Sequence, residues 1–272
     1  MSASTENKII DDRFHYGETE HQHYLEKGYC LFDHFLTDAG LAECRRQIER
    51  MLAQLHSDIA PEWIIGSHQS ERWVWDLATH PKLLDMIERQ IGPNITFWSS
   101  HLLCKPPRTG LSVPWHQDAM EWNVKGSFSA SIWIPLDDVD DQSGTMSILP
   151  GWHKKGPLPQ IPRAGDARDD FDADIDPKAL PENLDEMTVT YHLKAGQPAI
   201  HHVMMPHNST PNRSDRWRRV MIFRYIAPDG ELGEQTYYNY RTNEAFDRVF
   251  YLVRGEDVTG LGLPRSPFEK SA

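Results

Sequence analysis

The apolar positions of this chain change period near residue 94. Ahead of that point, residues 18–56 read as a helical lead-in, in which Thr37 caps a helix carrying Leu41, Ile48, Leu52 and Leu55 at roughly helical spacing. Within it, the apolar run GYCLF reads as a short strand. Residues 80–91 (HPKLLDMIERQI) predict a second amphipathic helix, stopped by Gly92-Pro93 because proline cannot continue it. From residue 94 the runs ITFWSSHLLCK, FSASIWIPL, GTMSILP, MTVTYHL, QPAIHHVMM and VMIFRYI are short and rich in β-branched and aromatic residues. Each is bounded by Gly, Pro, Asp or Asn, the mark of strands between turns. Serial short strands of this kind predict a mainly β, double-sheet jelly roll flanked by the N-terminal helices.

Two stretches break the rhythm. Residues 153–186 are rich in Pro and Asp, which predicts a solvated insertion and makes it a candidate lid, since long loops in compact domains often cover a pocket. Gly156 and Gly165 are candidate hinges, Pro157, Pro159 and Pro162 resist helix formation, and the run Asp169-Asp170-Phe171-Asp172 cannot pack as a core. The tail over 228–272 carries Tyr237, Tyr238, Tyr240, Phe246, Phe250 and Tyr251, and is expected to pack on the core or on another subunit. No internal repeat is visible. The 272 residues fit one domain: a lead-in over 1–93, a jelly-roll core over 94–227 and an extension over 228–272.

Composition narrows the partners. Hydrophobic residues make up 39% and charged residues 25%, the balance of a globular protein. A formal net charge of −12 repels nucleic acid and anionic membranes, so neither is expected, while a local basic pocket for an anionic cosubstrate is compatible with it. No apolar run approaches the roughly 18 residues of a membrane span. The N-terminal MSASTENKIIDDRFHYGETE lacks the basic start and apolar stretch of a signal peptide. Cys30, Cys44 and Cys104 form no CxxC pair and are odd in number, which fits a reducing cytoplasm and buried or free thiols. The expected partner is a small molecule, and a homo-oligomer is compatible with the aromatic tail.

The sharpest local feature is Pro114-Trp115-His116-Gln117-Asp118. His and Asp two apart on an extended segment point to the same face and can grip one metal. Two His and one carboxylate on one face of an octahedron leave positions open, a geometry that suits non-haem Fe(II). A third ligand has to come from elsewhere, and the segment from His207 to Arg219 (HNSTPNRSDRWRR) supplies one. It lies between two apolar runs, so a His at a strand end and an Arg starting the next strand would approach each other. An iron-chelating oxo acid such as 2-oxoglutarate needs a bidentate cation for its far carboxylate, which Arg provides better than Lys. Ser209 adds a hydroxyl donor. His201 and His202 compete with His207 as ligand, and the spacing to Ser209 and Arg218 favours His207; the competing histidines read as one buried, hydrogen-bonded imidazole and one facing the opposite way.

HQD, HNSTPNRSDRWR and, between them, SGTMSILPGWHK resemble the phytanoyl-CoA dioxygenase family from about residue 20 to about residue 227. The most specific part is the pattern H-x-S-x-x-N-x-S-x-x-x-R. The resemblance implies a double-stranded β-helix, a cupin-like jelly roll, and an oxygenase using Fe(II), 2-oxoglutarate and O2. It implies that His116, Asp118 and His207 bind iron and that Arg218 and Ser209 hold the distal carboxylate. Lys105 and Trp133 match positions lining the cosubstrate pocket in relatives. The chain departs from the family in carrying Asn208 where Gly usually follows the distal His.

Related iron halogenases replace the carboxylate with Gly or Ala, so the presence of Asp118 favours hydroxylation. Desaturation, epoxidation and cyclisation use the same centre. WHQDAMEW also resembles the WHxDxxxW stretch of ectoine hydroxylases, which makes Trp122 a candidate substrate contact. Trp98, Trp115 and Trp122 flank the metal segment and are expected to pack in the core or to wall a substrate, a cationic amine being one option. Osmolytes or amino acids, aminoalkylphosphonates and secondary-metabolite intermediates are the substrate classes considered. An acyl-CoA is disfavoured by the lack of a basic patch for its phosphates. From another class, a cupin-like hydrolase or isomerase would have no use for a dicarboxylate clamp, and a non-catalytic binding protein would not need the intact ligand set.

Overall fold

Two antiparallel sheets face one another, and the N-terminal helices cover the outer side of the larger. The structure is a computed structural model that describes residues 8–122, 124, 129–162, 173–233 and 236–269. The larger sheet runs in the order Tyr29–Leu31, Ala199–His202, Ser129–Pro135, Arg218–Ile226, Ile95–Lys105 and Tyr251–Arg254, with Ile64–Ile65 also paired to Ile95–Lys105. The smaller runs Val113–His116, His207–Ser209, Met146–Ile148 and Val189–Thr190. This is the expected double-stranded β-helix.

Side-chain alternation along Arg218–Ile226 shows how the layers are made. Met221, Phe223 and Tyr225 point outward into a core shared with Ile48, Met51, Leu83 and Ile87 of the helices. Val220 and Ile222 point inward, to a core shared with Met146, Ile148 and Met205 between the sheets. Period two therefore sends Arg218 and Arg224, like Val220 and Ile222, toward the interior.

Helices fall where capping chemistry puts them. Thr37 accepts a hydrogen bond from Gly40 N and starts Asp38–Ala53; Pro81–Ile91 ends at Gly92, which has φ 93°. A third packed helix, Arg72–Ala78, has too few residues to show a period in the sequence.

The sheet exceeds the boundaries read from the sequence. Tyr29–Leu31 joins one edge from the lead-in, and Tyr251–Arg254 joins the other from the tail, against Ile95 to Phe97. The tail thus packs on the core, with Tyr237, Tyr240 and Tyr251 buried. Cys30, Cys44 and Cys104 are buried free thiols.

The described parts of the insertion carry structure that its composition does not predict. Gln160–Pro162 pairs with Ala173–Ile175, and Leu158 and Ile175 are buried with Leu149 and Trp152. The Gly165 hinge and the Asp169-Asp170-Phe171-Asp172 run lie outside the described residues.

Candidate active site

His116 ends one strand of the smaller sheet and His207 begins its neighbour; the two are directly paired in register. Cross-strand pairing puts their rings 4.0 Å apart, centroid to centroid. The sequence reading put His207 at a strand end, and it opens the short strand His207–Ser209 in the smaller sheet.

Asp118 differs from expectation in its backbone. The strand stops at His116, and Asp118 opens the short helix Asp118–Glu121. The convergence survives because the intervening Gln117 remains extended, with φ −123° and ψ 124°. Asp118 Oδ1 lies 3.6 Å from His116 Nε2 and 3.7 Å from His207 Nε2. One ligand atom from each of the three buried residues falls within 4.8 Å of the others.

The tautomers suit a cation. His116 Nδ1 donates to Pro114 O at 2.8 Å, and His207 Nδ1 donates to Met205 O at 2.9 Å. Each Nε2 then presents a lone pair, the arrangement that orients metal-ligating imidazoles. Burial works against ionisation of Asp118, yet its surroundings, with the Arg224 guanidinium among them, hold its carboxyl well below the usual range. Burial, and the neighbouring His116, depress the His207 pKa well below normal, which keeps that ring neutral and able to coordinate.

His201 is drawn into the same site. Its Nε2 is 3.5 Å from Asp118 Oδ2, and its ring centroid is 4.8 Å from that of His207. It is buried as expected, but neither ring nitrogen has a hydrogen-bond partner among the described residues, contrary to the hydrogen-bonded imidazole read from the sequence. His202 faces the other way, as expected, toward Tyr24 and His153.

Arg218 opens its strand, as predicted, and is buried. Its Nη2 donates to Gly144 O at 2.9 Å, while Nε and Nη1 have no partner among the described residues. Burial lowers its pKa to about 10, so the guanidinium stays charged at neutral pH. Orphaned N–H groups on a buried cation are costly until an anion accepts them. Ser209 Oγ accepts from Lys105 Nζ at 2.8 Å, which leaves its own hydroxyl proton free to donate.

Lys105 sits behind this surface rather than on it: its Nζ also donates to Thr210 O at 2.6 Å, and it does not line the cavity. Gly144 has φ 71°, and a Cβ there would run into Thr210 O, so SGT requires the glycine. Asn212 Nδ2 donates to the carbonyls of Lys105, Pro106 and Arg216 at 3.1, 2.9 and 2.8 Å. That explains the asparagine of the pattern: it locks the turn that brings Arg218 back beside His207.

One cavity joins these parts. It is lined by His116, Asp118, His207, Ser209 and Arg218, with Trp133 on the wall and Trp98 and Trp122 on the far side. Trp115, grouped with them in the sequence reading, packs instead with the insertion. Sequence reasoning missed Trp63, His101, Arg224 and Tyr237. Of these, only Arg224 left a signal, an inward-facing charge two residues after Ile222 in an apolar strand.

Comparisons with known proteins agree with this geometry. The family model described as phytanoyl-CoA dioxygenase (PhyH) matches residues 24–220. An L-proline trans-4-hydroxylase from Streptomyces griseoviridis is 24% identical over 246 residues, covering 83% of this chain and 88% of that protein. The apo structure of the non-heme monooxygenase ThoJ is 27% identical, with a TM-score of 0.66, covering 91% of this chain and 89% of that one. EctD from S. alaskensis, solved with 2-oxoglutarate and 5-hydroxyectoine, has a TM-score of 0.64 over 83% of each chain; at 17% identity it attests the fold alone. Among the described residues no helix is long and apolar enough to cross a membrane.

Proposed function

The chain belongs to the phytanoyl-CoA dioxygenase family and is an Fe(II)- and 2-oxoglutarate-dependent dioxygenase; from that premise we propose that it hydroxylates an unactivated C–H bond of a small metabolite, with His116, Asp118 and His207 as the iron ligands and Arg218 and Ser209 as the anchor for the far carboxylate of 2-oxoglutarate. The observation that carries this assignment is the pairing, in one cavity, of a two-His, one-carboxylate cluster with a buried Arg whose Nε and Nη1 are unmatched among the described residues. A hydrolase or isomerase site has no need of that second feature.

Iron, O2 and 2-oxoglutarate supply the oxidation of the C–H bond, with decarboxylation of the cosubstrate to succinate. The chain supplies position. His116 and His207 are held by their own backbone, and Asp118 is kept ionised. Arg218 and Ser209 offer N–H and O–H donors to a carboxylate, with Trp133 against the guanidinium at 6.0 Å. Trp98 and Trp122, edge to face at 5.0 Å, form the far wall. Desaturation, epoxidation and cyclisation remain outcomes of the same site.

Turnover of 2-oxoglutarate to succinate, screened over metabolites with Fe(II) and O2, tests this reading. Succinate should form in step with oxidation of particular small metabolites. Failure of the iron-loaded protein to consume 2-oxoglutarate with any of them would count against it.

The insertion serves, in this reading, as cover for the site. Gln117, between two proposed ligands, donates to Gly156 O at 3.0 Å and accepts from Leu158 N at 2.8 Å. Ligand occupancy is thereby coupled mechanically to residues 153–162. Amide hydrogen exchange there should slow when iron, 2-oxoglutarate and substrate are added in turn. Identical protection in every state would rule out closure.

A further inference from the structure

The far side of the cavity carries a second arginine that is unmatched among the described residues. Arg224 lies between Ser99 and Ser131 in the sheet, and Ser131 lies beside His201. It is six residues along the strand from Arg218 and on the same face, about 20 Å away at the usual rise per residue. Its guanidinium covers the face of Trp122 at 4.5 Å. Arg216, Arg219 and Arg254 all make ion pairs, whereas among the described residues Arg224 makes none and its buried Nε has no partner. Around it on the cavity wall, Trp98 Nε1, Ser99 Oγ and Tyr237 Oη are also buried without hydrogen-bond partners among the described residues.

Charge balance gives this cluster its meaning. A divalent metal, Asp118 and Arg218 together match the two negative charges of 2-oxoglutarate. Arg224 is then left over. Glu121, the other acid on the wall, is itself engaged. The tryptophan faces that could have received a cationic amine are taken by the chain's own cations, Arg224 on Trp122 and Arg248, at 5.5 Å, on Trp98.

We propose that Arg224, flanked by the donors of Trp98, Ser99 and Tyr237, binds an oxyanion head group of the substrate, so that the substrate is a small organic acid, carboxylate or phosphonate, rather than an amine. This rests on the reading of the metal and 2-oxoglutarate sites above. A guanidinium with N–H groups free suits an oxyanion, and unmatched donors around it penalise any neutral or cationic competitor.

Thermal denaturation of the protein loaded with Ni(II) and saturating 2-oxoglutarate tests it with four matched probes: cyclohexanecarboxylate, cyclohexylphosphonate, cyclohexanecarboxamide and cyclohexylammonium. One or both acids should raise the midpoint, and which does so separates carboxylate from phosphonate; the amide and ammonium should not. In R224Q the acid should bind at least about thirtyfold more weakly, in R224K less so, with stabilisation by Ni(II) and 2-oxoglutarate retained. Equal shifts from acid and amide, a shift from the ammonium, no shift from any probe, or unaltered acid binding in R224Q would overturn the proposal. So would loss in R224Q of the metal response instead of the acid response, because Arg224 would then be only a counter-charge to Asp118. The head-group comparison uses unaltered protein, so it stands even where R224Q does not fold. Absence of stabilisation by 2-oxoglutarate itself would refute the underlying site reading separately.

Discussion

His207→Ala is expected to abolish tight metal binding and turnover, while His201→Ala leaves the metal in place. Both rings are buried beside Asp118, and the spacing to Ser209 and Arg218 that favoured His207 in the sequence is joined here by geometry. His207 has its Nδ1–H committed to Met205 O and its Nε2 facing His116 and Asp118 Oδ1. His201 approaches the other carboxylate oxygen, Oδ2, and no described residue fixes its tautomer. Loss of a group that merely supports a ligand costs roughly 10–100-fold in metal affinity, and loss of a ligand costs more. Metal content and Fe(II) affinity of the two purified variants decide the matter; a metal-free His201→Ala beside a metal-replete His207→Ala would reverse the assignment.

Arg218→Ala should raise the KM for 2-oxoglutarate by about a hundredfold or more, with metal content unchanged. Removing one partner of a buried, hydrogen-bonded charge pair costs about 3–5 kcal/mol, which corresponds to that change or a larger one. The neighbouring arginines offer no substitute. Arg216 pairs with Asp140 at 2.5 Å on the surface, and Arg219 is held by Asp137 at 2.7 Å and Glu49 at 2.9 Å. Normal 2-oxoglutarate binding by the variant, read by calorimetry on the metal-loaded protein, would show that the far carboxylate is anchored elsewhere.

Much of this was legible before any coordinates, for local reasons. Thr37 and Gly92 marked helix ends through the backbone groups they cap or free. The period-two strands from Ile95 to Ile226 announced a β fold. His116, Asp118, His207, Ser209 and Arg218 stood out because their residue types and spacing match one chemistry, and the structure brings all five to one cavity. At the described ends of the insertion, Leu158 and Ile175 are buried and anchor the pairing of 160–162 with 173–175, which Pro- and Asp-rich composition does not predict. The tail's edge strand was missed because four residues, Tyr251–Arg254, carry no readable period and owe their conformation to pairing with Ile95–Lys105.

The sequence by itself determined the fold class, the ends of the main helices and the identity of the metal-binding and carboxylate-binding candidates. These depend on backbone preferences and on side-chain chemistry, which are properties of short segments. Only the tertiary structure decided which neighbours those side chains meet. It paired His207 with His116 across strands, turned His201 toward Asp118, withdrew Lys105 behind Ser209, and set Arg224 unmatched against Trp122. Each of those contacts joins residues far apart in the chain, so register and layer packing, which no local pattern encodes, had to be in place before the character of the site could be read.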